Sequence, residues 1–167
     1  MVLDAAGEID INGAGDITSN GGAVTLSSGN TIDIGGDITT SGGVLIVTTE
    51  GTNSNINQSA GNIITGAGTS SFATANGTIT LNTATNNFGT GAVSLANTGG
   101  NTVAITDTNA ITLGTINVGN ALTVTNGGGA ATISGNLVAG NTVTFTGEVI
   151  LGADTTITTG AGGGDIA

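Results

Sequence analysis

The chain has 167 residues and an unusual alphabet: no Lys, Arg, His, Cys, Pro, Trp or Tyr, three Phe, and 7% charged residues, against about 25% in an ordinary soluble domain. All eleven charged side chains are acidic, for a net charge of −11, which excludes nucleic-acid binding through phosphate neutralisation and opposes an anionic membrane surface. The lack of cysteine removes disulfides, thiolate metal sites and thiol nucleophiles, and no apolar run approaches the roughly 18 residues of a membrane-spanning segment.

The remaining alphabet favours short strands and tight turns. Glycine and threonine each occur 32 times; Gly and Asn tolerate left-handed backbone, while Thr, Val and Ile fit a pleated surface. No window holds an apolar helical stripe over three turns. In chain order, the first alternating run is Gly7-Glu8-Ile9-Asp10-Ile11. Gly15-Asp16-Ile17-Thr18 follows, and Gly21-Gly22 leads into a strand over 23–26.

The cassette then returns as Gly29-Asn30-Thr31-Ile32-Asp33-Ile34. Gly36-Asp37-Ile38-Thr39 and Gly42-Gly43 repeat the earlier strings at offset 21, before a strand over 44–47. Gly61-Asn62-Ile63-Ile64-Thr65 reads as another copy of the cassette. Short alternating runs come next at 78–81, 92–95, 110–113, 115–118 and 148–151. Among them lie Gly100-Asn101-Thr102-Val103-Ala104-Ile105-Thr106, Gly119-Asn120-Ala121-Leu122-Thr123-Val124-Thr125 and Gly140-Asn141-Thr142-Val143-Thr144-Phe145-Thr146, at spacings of 19 and 21.

Such a recurring spacing, with Gly or Asn at the boundaries of short alternating runs, predicts a solenoid with strands as faces and Gly/Asn positions as corners. Alternation points Val103, Ile105, Leu122, Val124, Val143 and Phe145 inward, and Thr123, Thr125, Thr144 and Thr146 outward. The expected architecture is all-β, a right-handed parallel β-helix (β-solenoid) of about eight coils of roughly 19–24 residues, about 40 Å long. Residues 1–167 read as one repeat array, a fragment or subunit of a longer rod. A disordered linker would not alternate, and a β-sandwich of the same short strands would not require the recurrence; both stay open as alternatives.

The strings Ile56-Asn57-Gln58-Ser59-Ala60-Gly61, Gly77-Thr78-Ile79-Thr80-Leu81-Asn82, Asn86-Asn87-Phe88-Gly89-Thr90-Gly91-Ala92-Val93-Ser94-Leu95 and the run from Leu113 to Val124 resemble the repeat regions of filamentous-haemagglutinin-like giant exoproteins. The likeness continues from Thr144 to Ile166 and covers nearly the whole chain. It implies a long right-handed parallel β-helix, secreted to the bacterial cell surface and serving adhesion, aggregation and biofilm. Met1-Val2-Leu3-Asp4 carries no basic or apolar signal region, so an export signal is expected outside this stretch.

Parallel β-helices also host polysaccharide lyases and hydrolases, so chemistry is judged on residues. A lyase needs a base and cations to stabilise a developing dianion; His, Lys, Arg and Tyr are all missing. A glycosidase needs two carboxyls at one site, which leaves Glu8, Asp10 and Asp33, or Asp16 and Asp37. They read as solvated faces and turns, with Ca²⁺ as the weaker alternative. Gly162-Gly163-Gly164-Asp165 is a lone fragment of a calcium-binding nonapeptide pattern. Gly127-Gly128-Gly129 reads as a corner, since no Lys follows it.

Asn57-Gln58-Ser59 and Asn76-Gly77-Thr78 match the N-glycosylation pattern. An ice-binding threonine array would rest on Thr123-Val124-Thr125 over Thr144-Phe145-Thr146, with Thr102 and Ala104 expected beneath at offset 21; it is the weaker reading. The expectation is therefore a non-enzymatic extracellular rod segment of an adhesin without catalytic, cofactor or metal residues, partnered by neighbouring coils and, through flanking regions, a host or cell-surface ligand. The alternative is a filament subunit that stacks end to end through open coil ends.

Overall fold

The computed structural model describes residues 1–152, 154–160 and 164–167. Gly162 and Gly163 of the nonapeptide-like fragment lie outside the described residues. The described chain is all-β: parallel strands stack as a β-solenoid of about seven turns. Three faces succeed one another along each early turn, for example Val24–Ser28, Ile32–Ile34 and Ile38–Thr39.

The first face has eight rungs: Val2–Ala5, Val24–Ser28, Leu45–Thr49, Ser70–Thr74, Ala92–Asn97, Ile111–Val118, Ala131–Ile133 and Val149–Leu151. The second has seven, from Ile9–Ile11 to Val143–Thr146. Eight rungs enclose seven steps, so the stack is about 34 Å tall at ~4.8 Å per step.

Alternation builds the core as expected. On the first face, Leu3, Leu26, Val47, Phe72, Leu95, Ile116, Leu137 and Ile157 stack in register. On the second, Ile9, Ile32, Ile56, Ile79, Val103, Leu122 and Val143 do the same. Most of these side chains are fully buried, and each buried aliphatic contributes about 1.5–3 kcal/mol of transfer free energy. Phe145 is only partly buried because it lies on the final rung of its face.

The period is looser than the sequence suggests. Val24 stacks on Leu45 at offset 21, Leu45 on Ser70 at offset 25 and Ala131 on Val149 at offset 18. Corner loops absorb the difference, because the strands alone must stay in register. Three sequence expectations change as a result. Gly61-Asn62-Ile63-Ile64 belongs to the third face, stacked on Ile38–Thr39, and Ile56–Gln58 takes the second-face position. Thr123 and Thr125 lie over Ala104 and Thr106 at offset 19, not over Thr102 and Ala104.

The runs at 110–113 and 115–118 form one continuous strand, Ile111–Val118. Its register shifts by one position between Val93 and Leu95, where Gly114 is the extra buried position. Beyond this bulge the first face divides, with Ala131–Ile133 and Leu137–Ala139 both pairing to the same strand. The third face ends at the level of Ile63–Ile64, continued only by a bridge to Asn87 among the described residues. Phe88 fills the interior there and meets Phe72 edge to face, with centroids 6.0 Å apart.

One corner is closed by glycine. Gly43 approaches the carbonyl of Gly22, Gly68 that of Gly43, and Gly91 that of Gly68, so closely that a β-carbon at any of the three would come within 3.0 Å of that oxygen. Gly68→Ala is expected to lower stability by about 2–4 kcal/mol in denaturant titration, through forced displacement of the stacked corner. In the opposite direction, the buried Ser70 hydroxyl has no hydrogen-bond partner among the described residues and stands in an inward file with Val24, Leu45, Val93 and Leu113. Ser70→Ala removes that orphan and is expected to raise stability by about 1 kcal/mol in the same titration.

Candidate functional site

The acidic residues singled out in the sequence separate into two pairs. Asp10 and Asp33 are in register on the outer side of the second face, and the next rung presents Asn57, whose Nδ2 donates to Asp33 Oδ1 at 3.4 Å. Glu8 is exposed in the turn before Ile9. Asp16 and Asp37 instead occupy the corner leading into the third face. There Asp16 Oδ1 accepts the Asp37 backbone N–H at 3.0 Å, and Asp37 Oδ1 accepts the Asn62 backbone N–H at 2.7 Å and its Nδ2 at 3.1 Å.

Asp16 and Asp37 thus tie one rung to the next, which is a corner role. No three acidic side chains converge in a cation cage among the described residues. The two glycosylation-pattern asparagines have their side-chain nitrogens engaged: Asn57 with Asp33, and Asn76 with Asn53 Oδ1 at 2.8 Å. Gly127-Gly128-Gly129 forms a corner, with Gly129 at φ 113° and its carbonyl accepting from Asn126.

Sequence reasoning passes over the polar groups inside the solenoid. Where the first face turns toward the second, Ser28, Thr49, Thr74 and Asn97 stack in register and are buried. Ser28 Oγ donates to Gly7 O of the preceding turn at 2.5 Å, and the others donate across their own turns: Thr49 Oγ1 to Ser54 O at 2.9 Å, Thr74 Oγ1 to Gly77 O at 3.0 Å, and Asn97 Nδ2 to Asn101 O at 3.2 Å. These bonds satisfy corner carbonyls that no sheet can reach. At the turn into the first face, Thr40 Oγ1 reaches Gly43 O at 2.8 Å and Thr65 Oγ1 reaches Phe88 O at 2.8 Å.

The turn out of the second face holds larger groups. Gln58 and Asn86 exchange two amide bonds, at 2.7 and 2.8 Å, while Asn86 Oδ1 also accepts the Ile63 backbone N–H at 2.9 Å. Above them Asp107 is buried, its two oxygens accepting the backbone N–H groups of Phe88 and Asn109, both at 2.7 Å. Asn126 stacks on Asp107. The signal is present in the alternation: Gln58, Asp107 and Asn126 each sit two positions after an inward Ile56, Ile105 or Val124, so the strand's own phase turns them inside.

At the last turn, a cavity of about 440 Å³ is lined by Phe145, Val149, Leu151, Ile157 and Ile166. Among the described residues it lies at the last rungs of the core, and no side chain of its lining titrates. Among known proteins, a family model described as repeats of unknown function (DUF5649) matches residues 21–96 and 100–147, together about three quarters of the chain. No curated protein and no solved structure matches the chain.

Asp107 gives the interior a pH dependence. Burial pushes its carboxyl above the ordinary carboxylate range, against the opposing pull of the Phe88 and Asn109 N–H groups. Between the unfolded value and the raised folded value, the folded chain holds more protons than the unfolded one. Stability from this group is therefore full below the unfolded value and is lost as pH rises through the folded value. Comparison with Asp107→Asn isolates the effect from the other carboxylates. Denaturant midpoints of the wild type should gain on those of the variant as pH falls from about 7 to about 3; a constant difference would contradict it.

Proposed function

The chain belongs to the DUF5649 repeat family, and from that premise we propose that it is a stiff, non-enzymatic rod segment of a secreted bacterial surface adhesin, of the filamentous-haemagglutinin-like kind its sequence resembles. The observation that carries this reading is the continuity of the core. Two inward files run in register from turn to turn, and the rungs pair only with their neighbours. Such a stack works by length and stiffness, which scale with the number of turns.

The surface supports the same reading. It lacks any cationic side chain, so proteases that cleave after Lys or Arg have no site. Its outward positions are mostly Thr, Ser, Asn and Ala, a hydrated coat suited to a spacer that holds an adhesive region away from the cell. Ligand recognition in this reading lies in flanking parts of the adhesin.

The second reading, a filament subunit stacking head to tail, is favoured by one observation: Leu3 at one end and Val149 and Leu151 at the other belong to inward files yet are exposed. Electron microscopy across a concentration series separates the two. The rod reading expects discrete particles about 34 Å long with rungs ~4.8 Å apart at every concentration. Unbranched fibres that lengthen with concentration would replace it with the filament, and turnover of a polysaccharide by the purified chain would overturn both.

A further inference from the structure

The first face differs from the rest of the surface in charge. Asp10 and Asp33 lie on the second face, Asp16 and Asp37 at the corner into the third, and Glu8 and Glu50 in the turns that leave the first. Asp4 is on the first face but on its first rung, while Glu148, Asp154 and Asp165 belong to the last turn. Between those ends, the outward positions of the first face carry no charge. Rung by rung they are Ala23, Thr25 and Ser27, then Val44, Ile46 and Thr48, then Thr69, Ser71 and Ala73, then Ala92, Ser94 and Ala96.

The same face holds the bulky aliphatic side chains Val44, Ile46 and Val138, which are 39%, 38% and 42% exposed although they lie away from the ends. The second face presents Asp10, Asp33, Asn57, Thr80, Ala104, Thr123 and Thr144 in its central outward file, with no large aliphatic among them. On the third face Ile64 is 39% exposed, but the corner into that face carries Asp16 and Asp37, so among the described residues aliphatic exposure and freedom from charge coincide on the first face of a chain whose net charge is −11.

We propose that the first face is the interface between two copies of this chain lying side by side. A partner rich in basic groups would be drawn to the carboxylates of the second face and the corners. A second copy is repelled by those same carboxylates and can approach only where they are missing. The face is about 34 Å tall and about 16 Å wide, so pairing would cover roughly 550 Å² on each copy, about 1,100 Å² in all, which clears the ~1,000 Å² floor of biological interfaces and falls in the range of weak, reversible ones.

The face is also self-complementary. A two-fold axis running along the strands between the Ser70–Thr74 and Ala92–Asn97 rungs sets Val44 and Ile46 of one copy over Thr112 and the Gly114 bulge of the other, and Val138 over Ser27. Larger side chains then enter the space left by small ones at a normal sheet-to-sheet separation of ~10 Å. The solenoids run antiparallel, so Asp4 on the first rung of one copy faces the uncharged Thr158 of the other rather than a second Asp4.

Sedimentation of the 167-residue chain from micromolar to millimolar concentration tests this. A monomer–dimer equilibrium is expected, and Ile46→Glu or Ser94→Glu should weaken it at least tenfold while leaving the melting temperature and circular dichroism unchanged. Thr123→Glu, which adds the same charge to the second face, should leave the dimer intact. Small-angle scattering should give the dimer the monomer's length and a doubled cross-section. A wild type that stays monomeric throughout, a Thr123→Glu variant that dissociates as readily as Ile46→Glu, or a dimer of doubled length would each overturn the proposal.

Discussion

Everything in this molecule depends on one constraint: each rung is hydrogen-bonded only to the rung below and the rung above, at a spacing that also brings like side chains into contact. The backbone pairing sets the ~4.8 Å step, and the step allows files such as Ile9, Ile32, Ile56 and Ile79 to close without gaps. A core built this way needs neither helices nor aromatic bulk. Three phenylalanines suffice, and two of them serve the one level where the cross-section changes.

The constraint on strands moves all irregularity to the corners. Spacing between stacked residues varies from 18 to 25, yet the inward files stay intact because the additional residues leave the stack as turns. The corner chemistry follows from that. Carbonyls that point away from any sheet are met by inward hydroxyls and amides such as Thr49, Thr74 and Asn97, and where two corners approach closely, only glycine fits, as at Gly43, Gly68 and Gly91.

Much of this is legible in the sequence, and what escapes has a physical reason. Gly15 to Thr18 against Gly36 to Thr39, and Leu122 to Thr125 against Val143 to Thr146, pair correctly by eye because strand register preserves spacing there. Gly61-Asn62-Ile63-Ile64 misleads because a Gly-Asn corner precedes strands of more than one face and carries no label for which. The bulge at Gly114 is unreadable, since one additional residue leaves both halves of Ile111–Val118 still alternating. The acidic pairs are recognisable in register, while the buried Gln58, Asn86 and Asp107 escape because polar character reads as a mark of the outside.

That buried cluster bears on how the chain finds its native order. Rungs such as Val24, Leu45 and Val93 are nearly interchangeable in shape, so a collapsing chain could skip a turn and still bury aliphatic surface, a failure to which repeat architectures are prone. The three successive turns that carry Gln58, then Asn86 and Phe88, then Asp107 stand apart from the other rungs described, because their amide exchange and paired N–H acceptors are satisfied in one alignment only. A skipped turn would leave those groups buried and unpaired, at a cost of about 1–3 kcal/mol for each. The middle of the solenoid thereby acts as an index mark: turns can add outward from it in both directions, each inheriting its position from a segment that cannot be mistaken for its neighbours.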